Sequence, residues 1–303
     1  MLRRDFLAGL PAAWLAGTAV ASARDAALTV TPLAERLWQI SGAGGNVTVF
    51  HSPAGVLLVD GGAAAHTKAL LAEVRRLTGE SRVHTLINTH WHHDQTGANE
   101  VLGKSGTRII AHENTRLWLT TDVESKWEGR TWQPLPKIAL PTETFYTKGS
   151  LDFGGEHIDY GYLPQAHTDG DLYAFFRQAN VLVAADIVSV GAFPIIDYVT
   201  NGWIGGVGDA VQTLLDLSNA DTKVVAGRGA PVTRVQLEAE SKMLATMRQR
   251  LSRLMAQGKS AQEMIAARPA EDLQAEWGDP ALFIANSYPG MSQRSGQLGV
   301  SIV

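Results

Sequence analysis

The stretch THWHHDQTG, residues 89–97, places three histidines and an aspartate within five consecutive positions. It comes one residue after the stretch Val83–Ile87, whose pattern is typical of a buried strand. In an extended or tightly turned segment, His90 and His92 lie two positions apart and can face the same point. A third imidazole from another part of the chain would complete a set that leaves one tetrahedral position of Zn²⁺ open.

Three further polar clusters directly follow predicted strands. They are Ala166-His167-Thr168-Asp169-Gly170-Asp171, Ala185-Asp186 and Gly227-Arg228-Gly229. Strand ends along one edge of a sheet are where separate loops can meet to form a site. His167 is the best candidate for the third imidazole, because its cluster is the one that brings a further histidine to such an edge.

The composition limits the possible functions. The chain has 303 residues, of which 45% are hydrophobic and 18% charged, and a formal net charge of -4. Such a chain is an ordinary globular protein without the basic surface that binds nucleic acid, so we expect a small-molecule substrate. There is no cysteine. Disulfides and a catalytic thiol are therefore excluded, and any metal must be held by nitrogen and oxygen.

The N-terminus is typical of a twin-arginine signal peptide. Arg3-Arg4 precedes an uncharged stretch from Leu7 to Val20, and Ala21-Ser22-Ala23 offers small residues for cleavage. The stretch is shorter than the roughly 20 residues that span a bilayer. We therefore predict that residues 1–23 are removed, that the twin-arginine machinery exports the folded chain to the periplasm, and that no stable membrane anchor remains. An uncleaved anchor is the alternative.

Strand and helix patterns alternate along residues 24–303, which we interpret as a single domain. The predicted strands are 47–50, 56–59, 83–87, 108–111, 157–163, 172–176, 181–183 and 224–226. The predicted helices are 65–77, 113–120, 208–217 and 232–255. Residues 42–45 are rich in glycine and predict a turn or a loop that faces the site. Residues 121–149 and 192–206 are predicted to be loops, the first covering the site.

The joint pattern resembles the metallo-β-lactamase superfamily. The matching features are HxHxD after a strand, AHTDGD at residues 166–171, a strand that ends at Asp186, and the GxG turn at 227–229. The resemblance extends over nearly the whole mature chain. It implies an α/β (α+β) fold, a four-layer αββα sandwich with a metal site along one edge of its two sheets.

The resemblance also assigns ligands. It implies a first metal site at His90, His92 and His167, all intact. The second site falls on Asp94, Gln95 and Arg228, and Asp186 takes the place of the aspartate that bridges the two metals. The family usually has HxHxDH and GHG, whereas this chain has HWHHDQ and GRG. Only Asp94 and Asp186 remain as a partial second site.

The two departures argue against a second metal. Glutamine is a weak ligand for a transition metal, and arginine has no lone pair to offer. We expect one Zn²⁺ per chain, with the Arg228 charge replacing the second ion and paired with Asp94 or Asp186. Two roles for Arg228 stay open: a structural salt bridge, or a fork that holds a substrate carboxylate or the oxyanion formed during attack.

A mononuclear site predicts zinc-bound hydroxide as the nucleophile on a carbonyl. Asp94 would orient this nucleophile or take its proton, and Asp186 would help to hold it or fix Arg228. Asp94, Asp186 and Arg228 are therefore the candidate catalytic residues. We expect four further residues to contact the substrate or to support the metal ligands from behind: Gln95, His93, Arg228 and Trp91. Aromatic walls above the metal are predicted from Trp91, Trp127, Trp132, Tyr198 and Trp203.

These inferences predict an exported zinc-dependent hydrolase of a small ester, thioester, lactone or amide, with β-lactams among the amides. The alternative is a periplasmic ligand-binding or accessory protein that has lost hydrolysis along with its second site. The three histidines favour the hydrolase, and Gln95 and Arg228 favour the binding protein. An iron-dependent oxidoreductase has less support, because a di-iron centre needs the second site. The fold does not select the substrate.

Overall fold

Two β-sheets packed face to face occupy the centre of the computed structural model, which describes residues 27–298. The predicted signal peptide, residues 1–23, lies outside these residues. The strands in chain order are β1 (Thr29–Ala34), β2 (Leu37–Ala43), β3 (Gly45–Ser52), β4 (Gly55–Val59), β5 (Val83–Ile87), β6 (Arg108–His112), β7 (Val123–Ser125), β8 (Arg130–Trp132), β9 (Glu143–Phe145), β10 (Lys148–Phe153), β11 (Glu156–Tyr162), β12 (Leu172–Phe176), β13 (Val181–Ala185) and β14 (Lys223–Ala226).

The first sheet has the order β1-β2-β3-β4-β5-β6-β9 and the second has the order β10-β11-β12-β13-β14. Strands β1 to β4 pair antiparallel, and β4, β5, β6 and β9 pair parallel. In the second sheet only the β13–β14 pair is parallel. Parallel strands end at the same edge of a sheet, so the segments after β13 and β14 lie side by side. The segment after β5, in the other sheet, meets the β13 end there.

Helices cover the outer face of each sheet. They are α1 (Thr67–Thr78), α2 (His93–Thr96), α3 (Asn99–Lys104), α4 (Glu113–Trp118), α5 (Ile204–Leu217), α6 (Arg234–Ala256), α7 (Ala261–Ala266), α8 (Gln274–Trp277) and α9 (Ala281–Leu298). Helices α1 and α3 pack on the first sheet, and α5, α6, α7 and α9 on the second. Within the described residues, no helix is both long enough and apolar enough to cross a membrane.

The side-chain alternation of β4 shows how the layers are held together. Leu57 and Val59 point into the core between the two sheets, whereas Val56 and Leu58 point into the core under α1 and α3. All four are fully buried. A strand with both faces covered has a continuous apolar sequence, as β4 does. The predicted αββα sandwich is confirmed.

The structure also corrects several predicted elements. Strands 83–87 and 172–176 are confirmed at the predicted residues. Residues 121–149 are not simply a loop, since they contain the β7–β8 hairpin, β9 and the start of β10. Helix α5 begins at Ile204 instead of 208, and β1 and β2 were not predicted. These elements have weak periodicity because they are short, half-exposed or rich in glycine.

Candidate metal centre

The loop after β5 brings two histidines to the edge where the sheets meet. His90 and His92 point to one side of it, and Trp91 between them points to the other, as alternation requires. Trp91 is only 1% exposed and packs with Leu119 and Val123. Its Nε1 donates to Thr200 Oγ1 at 3.1 Å. The buried indole therefore anchors the loop that carries both histidines.

A carboxylate-braced turn after β11 carries the third histidine. Asp171 accepts hydrogen bonds from the backbone N–H of Thr168 at 2.7 Å and from its hydroxyl at 2.8 Å. Both residues are buried, and burial raises the pKa of Asp171 well above its ordinary value against the opposing effect of these bonds. The hydroxyl of Thr115 donates to Gly170 O at 2.8 Å. The AHTDGD motif thus holds His167 through a rigid turn.

Asp186 follows directly from the end of β13, where the chain turns sharply. Ala185 has φ 46°, a left-handed conformation that costs a residue with a Cβ roughly 1–2 kcal/mol. At Gly227, after β14, an added Cβ would lie 1.6 Å from Asp186 Oδ1. The Asp186 carboxylate therefore sits in space that exists only because residue 227 has no side chain.

Four side chains converge at this edge. One possible ligand atom from each of His90, His92, His167 and Asp186 lies within 4.8 Å of the others. His92 Nδ1 is 3.0 Å from His167 Nε2. Asp186 Oδ2 is 3.6 Å from His90 Nε2 and 3.7 Å from His167 Nε2. His90 Nε2 is buried without a hydrogen-bond partner among the described residues.

The outward nitrogen of each imidazole is held by a protein oxygen. His167 Nδ1 donates to Ile195 O at 2.7 Å, and His92 Nε2 donates to Asp197 Oδ2 at 3.1 Å. His90 Nδ1 lies 3.1 Å from the hydroxyl of Thr89, which itself donates to Asp60 Oδ2 at 2.8 Å. The hydroxyl oxygen can therefore accept the His90 N–H. Partners of this kind fix the tautomer and orientation of metal-binding histidines.

These outward bonds leave lone pairs that point inward, and the arrangement fits a bound cation. With neutral rings, His92 Nδ1 and His167 Nε2 would face each other as two acceptors at 3.0 Å. Such a contact is unfavourable unless a proton or a cation lies between them. The unpartnered His90 Nε2 has the same need. A metal ion bound by this nitrogen and oxygen set would satisfy all of these atoms.

The electrostatic surroundings favour neutral imidazoles at two of the three positions. Burial lowers the pKa of His90 well below its ordinary value, and the neighbouring His92 and His167 lower it further. Burial likewise lowers the pKa of His167. For His92, burial acts in the same direction, but the Asp197 hydrogen bond and charge outweigh it and raise the pKa. Burial therefore favours the neutral form of His90 and His167, which is the form that binds a metal.

A cavity of about 530 Å³ opens above the cluster. Its lining includes His92, His93, Asp94, Trp127, Glu128, Arg130, Trp132, His167, Asp186, Ile195 and Arg228. Of the aromatic walls predicted from sequence, Trp127 and Trp132 line this cavity, whereas Trp91, Tyr198 and Trp203 do not. A smaller, largely apolar cavity of about 150 Å³ adjoins it and shares Asp186, Ile195 and Arg228.

Arg228 pairs with Asp94, one of the two partners predicted from sequence. Its Nη2 donates to Asp94 Oδ2, and its Nη1 donates to the backbone carbonyl of Gly44. The glycine-rich turn between β2 and β3 therefore faces the site. Asp94 is not part of the four-residue cluster, but Asp186 is. Asp186 thus joins the three histidines of the first site instead of completing a second one with Asp94.

A comparison with family models matches residues 41–229 to the metallo-β-lactamase superfamily, and this span contains every residue of the cluster. The chain belongs to this superfamily. A curated relative is the "2,4-dinitroanisole O-demethylase subunit alpha" of Nocardioides sp. (strain JS1661), which is 26% identical over 189 residues. That match covers 59% of this chain and 53% of the relative, so it spans about half of the relative's length.

Solved metallo-β-lactamases share the fold. The enzyme from Pontibacter korlensis superposes with a TM-score of 0.59 at 18% identity, covering 72% of this chain and 99% of that chain. The DIM-1 metallo-β-lactamase gives a TM-score of 0.58 at 16% identity, covering 73% and 98%. At these identities the likeness establishes the fold and leaves the substrate open.

At the position of the family's second metal, this superfamily member has a buried glutamine. Gln95 is 0% exposed, and neither polar atom of its amide has a hydrogen-bond partner in the part of the chain that the structure describes. The amide packs against Gly45, where an added Cβ would lie 2.5 Å from it. Gln95 therefore lies beneath the metal-binding loop and does not line the cavity. His93 does line the cavity, and its ring stacks on Trp132 at 4.2 Å.

Several residues of the site were not found from sequence. Asp197, which holds His92, lies in a stretch predicted only as a loop, and no motif marks it. The sequence likewise does not indicate that Thr89 and the Ile195 carbonyl hold His90 and His167. Arg130 and Glu128 lie on the β7–β8 hairpin. The one available signal for that hairpin was the short alternating stretch Arg130-Thr131-Trp132, which directly follows Gly129.

Proposed function

We propose that this chain is a zinc-dependent hydrolase of small esters, thioesters, lactones or amides that works with one metal ion per chain. His90, His92, His167 and Asp186 would hold the ion. The observation that carries the proposal is the convergence of three inward imidazole nitrogens, each fixed by an outward hydrogen bond, at the floor of a cavity of about 530 Å³. A protein that only binds a ligand has no need for such a set.

A divalent ion at this position would supply Lewis acidity, which polarises a carbonyl and makes water more acidic. The protein contributes orientation and proton transfer. Asp94 lines the same cavity, and its Oδ2 accepts a hydrogen bond from Arg228. The other oxygen is available to accept a proton from an attacking water and to pass it to the leaving group.

Arg228 supports the assignment of a single metal. Its guanidinium is held between Asp94 and the Gly44 carbonyl, at the position where the family has a histidine ligand. A second dication next to this charge would be repelled, and arginine has no lone pair to bind it. Arg228 lines both cavities, and its N–H groups that are not bonded to Asp94 or Gly44 could stabilise an oxyanion as it forms. The structural and catalytic roles of Arg228 are therefore compatible.

A second candidate reaction is the hydrolysis of an activated aryl methyl ether. The observation that favours it is the sequence match to the subunit named for O-demethylation of 2,4-dinitroanisole. Hydrolysis of this ether by attack of water on the ring carbon would use the same proton acceptor, Asp94. The match covers about half of that relative, so the ether is one member of the substrate panel.

We further propose that residues 1–23 direct export through the twin-arginine machinery and are removed, leaving a periplasmic enzyme. The Arg3-Arg4 pair and the small residues at 21–23 support this proposal. Fractionation followed by N-terminal sequencing tests it. Export should fail when both arginines are changed to lysine. An unprocessed chain recovered with the cytoplasm would contradict the proposal.

The hydrolase proposal is tested on a panel of nitrocefin, a thioester, a lactone, a 4-nitrophenyl ester and 2,4-dinitroanisole. Purified protein should turn over at least one member, and His167→Ala should abolish that turnover. The matched control is His157→Ala, because His157 is an exposed histidine of β11 that bonds Asp152 away from the cavity. Absence of both metal and turnover would favour the ligand-binding alternative.

A further inference from the structure

The β7–β8 hairpin forms the outer wall of the main cavity. Its strands pair through Val123 with Trp132 and Ser125 with Arg130. Val123 is buried against Trp91, so the hairpin packs on the metal-binding loop. Because side chains two positions apart on a strand share a face, Arg130 and Trp132 point to the same side. That side faces the cavity, since both residues line it.

Trp132 fixes the position of the hairpin above the ligands. Its ring stacks on His93 at 4.2 Å with an interplanar angle of 16°. Its Nε1 donates a hydrogen bond at 2.7 Å to the carboxylate of Glu128, a hairpin residue that also lines the cavity. The guanidinium of Arg130 lies over the same ring, 4.4 Å from its centre. Arg130 is therefore held at the cavity by an aromatic ring and not by a carboxylate.

The two arginines of the cavity differ in their partners. Arg228 is paired with Asp94, whereas Arg130 forms no salt bridge to any described carboxylate. A second donor on the hairpin is also unused, because the Nε1 of Trp127 is buried without an acceptor. Trp127 lines the cavity beside His92, with ring centres 6.4 Å apart. Of these two donors without an acceptor among residues 27–298, the Arg130 guanidinium is exposed at the cavity and can meet a ligand, whereas the Trp127 Nε1 is buried and only its residue lines the cavity.

We infer that Arg130 and Trp127 form a recognition site for an anionic group of the substrate, at a distance from the bond that is cleaved. This inference rests on the proposed hydrolase function and narrows its substrates to esters, lactones or amides that carry a carboxylate or a similar anion. A guanidinium matches a carboxylate through two parallel hydrogen bonds. Trp127 lines the same cavity, and its ring would pack against the apolar part of the substrate.

A binding experiment tests the inference independently of turnover. Isothermal titration of the metal-loaded protein compares 2-naphthoate with 2-naphthamide, which have the same ring system and differ in charge. Wild type should bind the carboxylate more tightly, and Arg130→Gln should reduce this preference by about tenfold, the effect expected of a charge-assisted hydrogen bond. Arg130→Lys should retain part of the preference. Arg253→Gln, an exposed arginine of α6 outside the cavity, is the control.

A kinetic comparison links the site to catalysis. Mono(4-nitrophenyl) glutarate and 4-nitrophenyl valerate differ only in the terminal carboxylate. Arg130→Gln should lower the ratio of their kcat/KM values about tenfold through the KM of the glutarate, and Trp127→Phe should lower it less. An unchanged ratio and an unchanged binding preference in Arg130→Gln would overturn the inference while leaving the hydrolase proposal intact. Binding preference without turnover would support the inference and count against hydrolysis.

Discussion

Arg228 donates a hydrogen bond to the carboxylate of Asp94, and this contact ties the turn after β14 to the metal-binding loop after β5. The pair lies where related proteins with two metals would have ligands of the second ion. Since the arginine fork can be removed by substitution, the one-metal interpretation can be tested directly at this contact.

Restoring both missing histidines should create a second metal site. The double variant Gln95→His with Arg228→His removes the guanidinium and restores the two histidines that the family pattern combines with Asp94, so we expect about one additional zinc per chain in equilibrium dialysis. The control is Arg228→Gln alone, which removes the charge without adding a ligand and should leave the zinc content unchanged. A wild-type protein that already holds two zinc ions tightly would refute this account of Arg228.

Removal of the charge behind His92 should weaken metal binding. Asp197 accepts from His92 Nε2 at 3.1 Å and from the Thr200 hydroxyl at 2.7 Å, so Asp197→Asn leaves the shape but removes the carboxylate. Loss of such a partner typically lowers metal affinity about 10–100-fold. Competition with a fluorescent zinc chelator measures the change. The matched control is Asp216→Asn on the exposed face of α5, and equal affinities in the two variants would contradict the prediction.

A methyl group at position 227 should displace a proposed ligand. In Gly227→Ala the new Cβ would lie 1.6 Å from Asp186 Oδ1, so the carboxylate must leave its present position beside the histidines. We expect weaker zinc binding and reduced turnover with an unchanged circular dichroism spectrum. Gly208→Ala is the control, because nothing lies within 4 Å of its added Cβ. In helix α5 that change should stabilise the protein by about 0.5–1 kcal/mol. Normal zinc affinity in Gly227→Ala would show that Asp186 does not bind the metal.

Glu240 predicts a pH-dependent difference in stability. Burial raises its pKa well above the ordinary value, although the backbone N–H of Ser189 partly opposes this. Above about pH 4.3 the unfolded state loses this proton while the folded state keeps it, so the free energy of unfolding falls as pH rises. Glu240→Gln keeps an acceptor for Ser189 but does not titrate. The free energy of unfolding of Glu240→Gln minus that of wild type should therefore increase with pH from pH 4.5 towards pH 7.5. The increase should end where the pH passes the folded-state pKa of Glu240.

Urea unfolding of both proteins at the two pH values measures this effect. The remaining titratable groups are common to wild type and Glu240→Gln, so their contributions cancel in the difference. The slope expected within the window is about 1.4 kcal/mol for each pH unit. A stability difference that does not change with pH would mean that Glu240 titrates normally in the folded protein.

The sequence predicted the parts of the site that depend on strand ends. His90, His92, His167 and Asp186 each follow a strand of recognisable pattern, and their side chains converge at one edge. Apolar runs such as that of β4 also predicted individual strands, whereas the layered αββα arrangement was implied by the family resemblance. These features are local in sequence, and their periodicity survives in the folded protein.

The remaining features depend on contacts between distant segments. Asp197 reaches His92 from a loop that follows β13, and nothing in its neighbouring residues marks this role. Arg130 and Trp127 lie on strands and a turn too short to show a period. Arg228 pairs with Asp94 and not with Asp186 because of how the three separate loops are positioned relative to one another. Such choices are made by tertiary packing, which a pattern of residue types does not specify.

The metal content of the natively purified chain tests the central claim most directly. Inductively coupled plasma mass spectrometry should find about one zinc per chain in wild type and in His157→Ala, and a large loss in His167→Ala. Removal by a chelator should abolish turnover, and one equivalent of zinc should restore it. Two tightly bound metal ions per chain, or full activity in protein that holds none, would contradict the account.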